Sequence, residues 1–234
     1  MSDSDGRGRQ SHLDITGVAA HCGGREKELW KEFAMFIQMI EGRTSDAEAL
    51  HRQLEKWERE LMPGAIGYLG STAGCTTSGD CILIARFESK EAAARNSDRP
   101  EQGKWWAETE KCFDGTPRFH ESSDVQVMSH GELDEAHFVQ VMEGHVTDRQ
   151  RAVELEREAE PVLAEVRPDL IGAVTAFFDD DEFAEVAYFT SEREARDGER
   201  REPPSDMAPK LAEWERVMKV ERYYDIADPW LIHA

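Results

Sequence analysis

Two glutamines occupy an unusual position in this sequence. Gln38 and Gln140 each stand in the middle of an otherwise apolar run that has the composition of a β-strand. A buried amide requires hydrogen-bond partners, so two amides that face one cavity could orient a polar group of a ligand. They could equally hydrogen-bond to each other across a pseudo-twofold axis, and the sequence leaves both alternatives open.

The segment that begins at Arg95 is a second candidate for ligand binding. Arg95 and Asn96 could bind an anionic or carbonyl group, because a guanidinium group donates several hydrogen bonds in a fixed geometry. A similar segment begins at Arg196, which we match with Arg95. The alternative is a solvated loop with local ion pairs, and we favour it because exposed ion pairs are common.

A tryptophan pair and a histidine complete the set of candidate site residues. Trp105 and Trp106 are adjacent, so on a helix they cannot share one face. We expect Trp106 to belong to the core and Trp105 to line a pocket, where it could stack on a flat ligand. His120 could act as a general base near neutral pH, although a lone histidine on a strand is more often structural. No other residue is assigned a catalytic role.

The cysteines do not form a metal-binding pattern. Cys22, Cys75, Cys81 and Cys112 show no C-x-x-C pair and no regular spacing, so we expect reduced thiols in a cytoplasmic chain. Cys75 and Cys81 flank a turn and could approach each other, but a metal site needs more ligands than this neighbourhood offers. The sequence therefore predicts no metal and no cofactor.

Composition limits the partners that the protein can have. The 234 residues are 39% hydrophobic and 33% charged, which is enough for one large domain or two small ones. The net charge of −21 argues against binding to nucleic acid or to anionic membranes, whose phosphates it would repel. Neither a signal peptide nor a long apolar span is present, so we expect a cytoplasmic protein with a small-molecule ligand.

The elements that must position these side chains occur twice. Four short segments recur in order about 100 residues apart, which is far too long for a solenoid repeat and indicates a duplicated domain. The matched pairs are 36–42 with 138–144, 63–67 with 168–172, 87–89 with 189–191, and 107–108 with 212–213. We therefore predict a flexible N-terminal tail at 1–32, a first repeat at 33–128, a linker at 129–134 and a second repeat at 135–234.

Each repeat has the pattern strand, helix, hairpin, helix, strand, which is the ferredoxin-like βαββαβ arrangement of the α+β class. Capping boxes at Ser45-x-x-Glu48 and Thr147-x-x-Gln150 predict the start of the first helix in each repeat. In the first strand, we expect Ile37 and Met39 to pack under the helices. Phe36, Gln38 and Ile40 then point to the other face of the sheet.

That second face is too apolar to be exposed to water, and the other repeat is the nearest element that could cover it. Two sheets packed face to face would form one intramolecular α+β barrel. Since the fusion supplies the partner sheet internally, we expect a monomer or at most a weak dimer.

Several of these motifs together resemble a known family. Pro63-Gly-x-x-Gly67, a hairpin, and then Arg86-Phe-Glu-Ser-Lys-Glu-Ala92 are similar to the dimeric α+β barrel superfamily, in particular to antibiotic-biosynthesis-monooxygenase-like domains. The resemblance covers roughly residues 33–128 and 135–231. It implies a small-molecule-binding protein with a cofactor-independent, oxygenase-like activity on an aromatic or polyketide-type compound.

Two alternatives to an enzyme of this kind stay open. The first is a non-catalytic member of the same fold that binds a ligand or assembles. The second is a haem-binding protein, although the last helix of the first repeat, around Trp105 to Cys112, lacks the histidine that the haem-degrading relatives need. Because the second repeat lacks counterparts of the tryptophan pair and the histidine, we expect the pocket in the first repeat, near Gln38, Arg95, Trp105 and His120.

Overall fold

The computed structural model describes residues 35–234, so the predicted tail at 1–32 and Cys22 lie outside the described residues. None of the helices in this part of the chain is long and apolar enough to cross a membrane. The first repeat contains β1 (Phe36–Arg43), α1 (Ala47–Glu60), β2 (Tyr68–Cys75), β3 (Asp80–Phe87), α2 (Lys90–Ser97), α3 (Pro100–Thr109), β4 (Arg118–Ser122) and β5 (Asp124–Ser129). The second contains β6 (Phe138–Val146), α4 (Arg149–Val166), β7 (Leu170–Phe177), β8 (Glu182–Phe189), α5 (Glu192–Glu199), α6 (Ala208–Val217), β9 (Met218–Ile226) and β10 (Trp230–Ile232).

The strands form two antiparallel sheets of five strands each. Their orders are β10-β2-β3-β1-β4 and β5-β7-β8-β6-β9. In both sheets the four strands of one ferredoxin-like unit lie side by side, with the first strand of the unit between its third and fourth. The predicted α+β class and the two tandem ferredoxin-like units are confirmed.

The fifth strand of each sheet comes from the other repeat. Strand β5 leaves the first repeat and pairs with β7, with Val125 opposite Ala176. Strand β10, near the end of the chain, returns to the first sheet and pairs with β2, with Leu231 opposite Thr72. Through these two strands, backbone hydrogen bonds link the two repeats to each other. Each sheet therefore contains strands from both repeats.

The sheets pack face to face, but through the opposite face from the one we predicted. Ile37 and Met39 lie in the apolar core between the sheets, together with Val139 and Val141 of the second repeat. Phe36 packs instead under the helices, in the core that α1 covers. Because successive residues of a strand alternate between faces, Gln38 and Ile40 share the helix side. The alternation of the strand shows which residues share a face, but both faces are apolar, so it does not show which face the helices cover.

Two local predictions also need correction. The helices α1 and α4 are capped one residue later than the capping boxes indicate, by Asp46 and Asp148, whose side chains accept hydrogen bonds from Ala49 N and Arg151 N. Aspartate is as good an N-cap as serine and better than threonine, so the downstream acid determines where the helix begins.

The expectation of reduced thiols is wrong for Cys75 and Cys81, which form a disulfide. These residues lie directly opposite each other in the antiparallel β2–β3 pair, with their Cα atoms 4.0 Å apart. The register of the hairpin brings the two sulfurs together, and no spacing rule based on metal or redox motifs would have found them. Cys112 is a free thiol.

The internal pairing of the sheets predicts the oligomeric state. Because the apolar face of each sheet is already covered within the chain, and a net charge of −21 repels a second copy, we expect a monomer. Size exclusion coupled to light scattering should give a mass near 26.6 kDa at moderate ionic strength. A dimer that persists on dilution would contradict this expectation.

Candidate functional site

A cavity of about 90 Å³ lies between the helices and the sheet of the first repeat, and we call it the first-repeat cleft. Strands β1, β2 and β3 form its floor, and α1, α2 and α3 contribute its walls. Its lining is mostly aromatic and aliphatic, with a few amide groups. The aromatic residues are Trp57, Tyr68, Phe87 and Trp105, and the amides are Gln38, Asn96 and Gln102.

The aromatic rings of the cleft hold one another in place. The ring centroids of Trp57 and Tyr68 are 4.8 Å apart in an edge-on contact, and those of Tyr68 and Phe87 are 5.7 Å apart. Trp57 donates its indole hydrogen bond to Oε1 of Gln102 at 2.7 Å. Trp105 donates to the backbone oxygen of Gln53 at 2.8 Å. With their polar ends satisfied, both indoles present apolar faces to the cavity.

The two predicted glutamines each bind a carboxylate on the neighbouring strand. Gln38 donates from Nε2 to Oε1 of Glu121 at 2.8 Å, and Gln140 donates to Oδ1 of Asp225 at the same distance. Neither amide bonds to the other across the pseudo-twofold axis. Gln38 lines the first-repeat cleft, so it is placed to contact a ligand there.

Asn96 and Trp105, two of the predicted ligand-binding residues, also line the first-repeat cleft. Asn96 is only 5% exposed, and its Oδ1 accepts a hydrogen bond from Arg99 at 3.0 Å. Trp105 is buried in the core and lines the cavity at the same time. Trp106 packs partly buried against the same core, with its ring 5.2 Å from that of Phe119.

Arg95 does not line the cleft and is exposed on α2. Our match of Arg95 with Arg196 is also wrong. Ser89 and Ser191 cap the equivalent helices α2 and α5. Arg95 comes six positions after its cap and Arg196 five positions after its own, so the true counterpart of Arg95 is Asp197. The motif match was off by one because both segments are rich in arginine and acids.

His120 does not reach the first-repeat cleft. It pairs with Met39 in the β1–β4 register, and it therefore shares the face that packs against the other sheet. Its Nε2 lies 2.9 Å from Oε1 of Glu41. This hydrogen bond raises the pKa of His120 against the opposing effect of burial. A general-base role for His120 would therefore concern a ligand between the sheets.

Titratable groups are scarce in the first-repeat cleft itself. Tyr68 is the one lining side chain that titrates in water. Burial raises the pKa of Tyr68 to about 12, and its hydroxyl donates to Ser71 Oγ at 2.8 Å. The lining of the cleft offers apolar surface and amides, and it includes no charged side chain that could recognise an ionic group.

An unpredicted group of charged residues lies between the sheets. Glu41 and Glu143 occupy the same position of the matched strands β1 and β6, and Arg118 and Arg222 are their partners on β4 and β9. Burial alone would raise the pKa of Glu41, but the hydrogen bond with His120 and the two arginine charges lower it to about 2. We call these residues, with Tyr224, the inter-sheet cluster. In the sequence, this cluster is indicated by Glu41 and Glu143, which occupy the same position in the repeated segments 36–42 and 138–144.

The second repeat has polar side chains at positions where the first repeat has the apolar lining of its cleft. Three lining positions of the first-repeat cleft change from aliphatic to polar in the second repeat when the matched strands and helices are aligned. Leu54, Ala73 and Leu83 correspond to Glu156, Thr175 and Glu185. The two repeats therefore differ at residues that face the helices, and these are not the tryptophan and histidine positions on which the predicted asymmetry rested.

The two glutamates of the second repeat are poorly solvated. Burial and the nearby charge of Glu185 raise the pKa of Glu156 to about 8, although Thr175 donates a hydrogen bond to its Oε1 at 3.3 Å. Burial raises the pKa of Glu185 to about 7. Oε2 of Glu185 is excluded from solvent and has no hydrogen-bond partner within residues 35–234. Both carboxyls therefore take up a proton at a higher pH than an exposed glutamate does.

As for metals, the part of the chain that the structure describes contains no group of three or more histidine, cysteine, aspartate or glutamate side chains arranged to hold an ion.

The fold is an α+β barrel, and a cavity of about 90 Å³ lies between the helices and the sheet of its first repeat. By sequence the chain matches no known protein family and no curated protein. By structure it is similar to a protein from Fusobacterium nucleatum proposed to be a monooxygenase, with a TM-score of 0.66 and 8% identity over 86% of this chain and 94% of that one.

Two further structures have the same fold. One, from Lactobacillus acidophilus, is also proposed to be a monooxygenase and has a TM-score of 0.60, with 13% identity over 85% of this chain and 93% of that one. The other is an anthrone oxidase-like protein with a TM-score of 0.59, with 10% identity over 86% of this chain and 92% of that one. The predicted resemblance is confirmed as a resemblance of fold, because identities this low carry no information on the reaction.

The buried glutamates of the second repeat predict how stability depends on pH. Because the folded-state pKa values lie above the ordinary value of 4.5, the folded chain holds these protons more tightly than the unfolded chain. Stability should therefore fall as the pH rises from about 5 to about 8. Glu185→Gln should be more stable than the parent at pH 8.5 by about 1–3 kcal/mol, as measured by urea unfolding.

The matched control is Glu165→Gln, an exposed glutamate on α4, which should leave the pH dependence as it is. If Glu185→Gln is less stable at every pH, the carboxyl makes a hydrogen bond that the fold needs, and the expected sign is wrong.

Proposed function

We propose that the first-repeat cleft binds a compact, neutral aromatic molecule. The observation that carries this proposal is a cavity whose wall combines four aromatic side chains with three amides. Ligand sites in proteins have this composition, in which apolar surface provides affinity and a few polar groups orient the ligand.

The volume of the cleft limits the size of the ligand. An engineered cavity of about 150 Å³ is large enough for benzene, and the first-repeat cleft measures about 90 Å³. A single ring, or one end of a larger molecule, therefore enters only if the walls of the cleft move apart. A fused-ring polyketide requires α3 to move outward, because Trp105 and Gln102 on that helix close the cavity.

Two amides are placed to orient the ring. Nε2 of Gln38 is bonded to Glu121, which leaves Oε1 as an acceptor for a ligand hydroxyl. Oδ1 of Asn96 is bonded to Arg99, which leaves the amide NH₂ as a donor for a ligand oxygen. A phenol, which both donates and accepts, matches this pair.

A cofactor-independent oxygenation of an aromatic compound is the second candidate function. It is favoured by the fold, which this chain shares with two proteins proposed to be monooxygenases and with an anthrone oxidase-like protein. An anthrone is the appropriate probe, since oxygen uptake and quinone absorbance report the reaction directly. Binding of phenol without turnover of anthrone would favour the non-catalytic alternative over an anthrone oxygenase. Haem has less support, since no histidine lines the cleft.

We also propose that the protein acts in the cytoplasm as a monomer, without nucleic-acid or membrane partners. The strong negative charge supports this proposal. The state of Cys75 and Cys81 in cells tests the location. The structure joins these residues in a disulfide, so a cytoplasmic location requires that the bond be reduced in cells. Rapid alkylation of a cell extract and mass spectrometry should then find two free thiols, and a disulfide that persists would overturn the proposed location.

Binding to the cleft is tested by filling it. Ala73 is 3% exposed and lines the cavity, so Ala73→Leu places three more carbon atoms in a space of about 90 Å³. We expect phenol to bind the parent chain, and Ala73→Leu to weaken binding at least about tenfold, which corresponds to about 1.4 kcal/mol. Ligand-observed NMR titration measures both.

Ala94→Leu, on the exposed side of α2, is the matched control and should bind phenol as the parent does. Equal binding by Ala73→Leu and the parent would show that phenol binds elsewhere, and the proposal would fail. A thermal scan of both variants verifies that each is folded.

A further inference from the structure

Two glutamates from equivalent positions of the two repeats lie in the interface between the sheets. Glu41 follows Ile37 and Met39 on the inner face of β1, and Glu143 follows Val139 and Val141 on β6. They are only 4% and 5% exposed. Two carboxylates are thus buried next to an apolar core, where a charge without partners is costly.

The two carboxylates differ in their hydrogen bonding. Glu41 uses both oxygens, since Oε1 lies 2.9 Å from Nε2 of His120 and Oε2 pairs with Arg118. In Glu143 only Oε2 is used, and it accepts from Arg222 at 2.7 Å and from Tyr224 at 3.1 Å. Oε1 of Glu143 is solvent-excluded and accepts no hydrogen bond from an N–H or hydroxyl group among the described residues. The Glu143 carboxyl lies within hydrogen-bond reach of the Glu41 carboxyl. Two neighbouring carboxylates repel each other, so either a shared proton or a bound cation stabilises the pair.

That unpaired oxygen belongs to a residue that lines a small cavity of about 50 Å³, which we call the inter-sheet cavity. Four glutamates line it, together with Arg222, two histidines and the ring of Phe178, so negative charge predominates. The cavity adjoins an open groove of about 670 Å³, and both are lined by Glu41 and Arg222. Hydroxyl, acidic and arginine side chains line the groove, including Ser78, Asp114 and Arg118.

We propose that the inter-sheet cavity is a second binding site, which takes the ammonium group of a small polar amine with Oε1 of Glu143 as its acceptor. An ammonium group has three N–H donors and no acceptor, which matches a cavity rich in carboxylate oxygens. The adjacent ring of Phe178 adds a favourable surface for a cation. The carbon chain of the amine extends into the polar groove. This site lies on the opposite face of the first sheet from the first-repeat cleft and does not depend on it.

The site should respond to pH through several groups. Burial and the charge of Glu41 raise the pKa of Glu143 to about 7, against the charge of Arg222. Below that pH, Glu143 takes up a proton and loses its attraction for a cation. The other charged or titratable groups that face it are His120, Arg118, Tyr224, Glu182, His145 and Glu221. Protonation of His120 adds positive charge at lower pH, so it acts in the same direction.

Isothermal titration calorimetry of the full chain with 1,4-diaminobutane tests the proposal, with 1,4-butanediol as the uncharged analogue. We expect the diamine to bind and the diol not to bind. The affinity for the diamine should fall about tenfold between pH 8 and pH 6, since one proton competes with the cation. Glu143→Gln keeps the shape of the side chain and should weaken binding at least tenfold at pH 8.

The matched control is Glu154→Gln, which changes the net charge equally at an exposed position of α4. Equal weakening by both variants would mean that the diamine responds only to the overall charge of −21. That result, binding of the diol, or no heat at millimolar diamine would each overturn the proposal. If Glu143→Gln does not fold, the salt dependence of the parent chain decides, because added salt screens attraction to the overall charge but screens an ion pair between buried groups much less.

Discussion

The need to cover the second face of each sheet organises the whole molecule. Ile37 and Met39 on one sheet and Val139 and Val141 on the other would expose a large apolar surface if the repeats separated. Face-to-face packing removes that surface from water. The exchanged strands β5 and β10 each form backbone hydrogen bonds with a strand of the other repeat. One chain thereby contains the interface that two separate copies would otherwise have to form.

This packing creates two chemically different environments on each sheet. The helix side holds the first-repeat cleft, which is apolar and carries amides but no charge. The inner side ends in the inter-sheet cluster, where Glu41 and Glu143 are buried beside arginines. Duplication also allowed the helix sides to diverge, since Leu83 of the cleft corresponds to Glu185 in the second repeat. A shared backbone therefore supports an aromatic cavity in one repeat and buried carboxyls in the other.

The sequence by itself determined the duplication, the order of strands and helices, and therefore the fold class. Local signals carry this information, because strand and helix periodicity and proline or glycine boundaries act within a few residues. It also identified Gln38, Asn96 and Trp105, which the structure brings together around one cavity. These three residues stood out as polar or aromatic side chains in segments that the repeat pattern had already placed beside the sheet.

Only the tertiary structure decided which face of the sheet the helices cover. Both faces of β1 are apolar, so hydrophobic alternation cannot distinguish them, and His120 consequently lies between the sheets. The Cys75–Cys81 bond depends on the register of a hairpin, and the pairing of Glu41 with Glu143 depends on how two distant strands meet. These contacts join residues that are far apart in sequence or depend on exact register, and patterns within short segments do not contain that information.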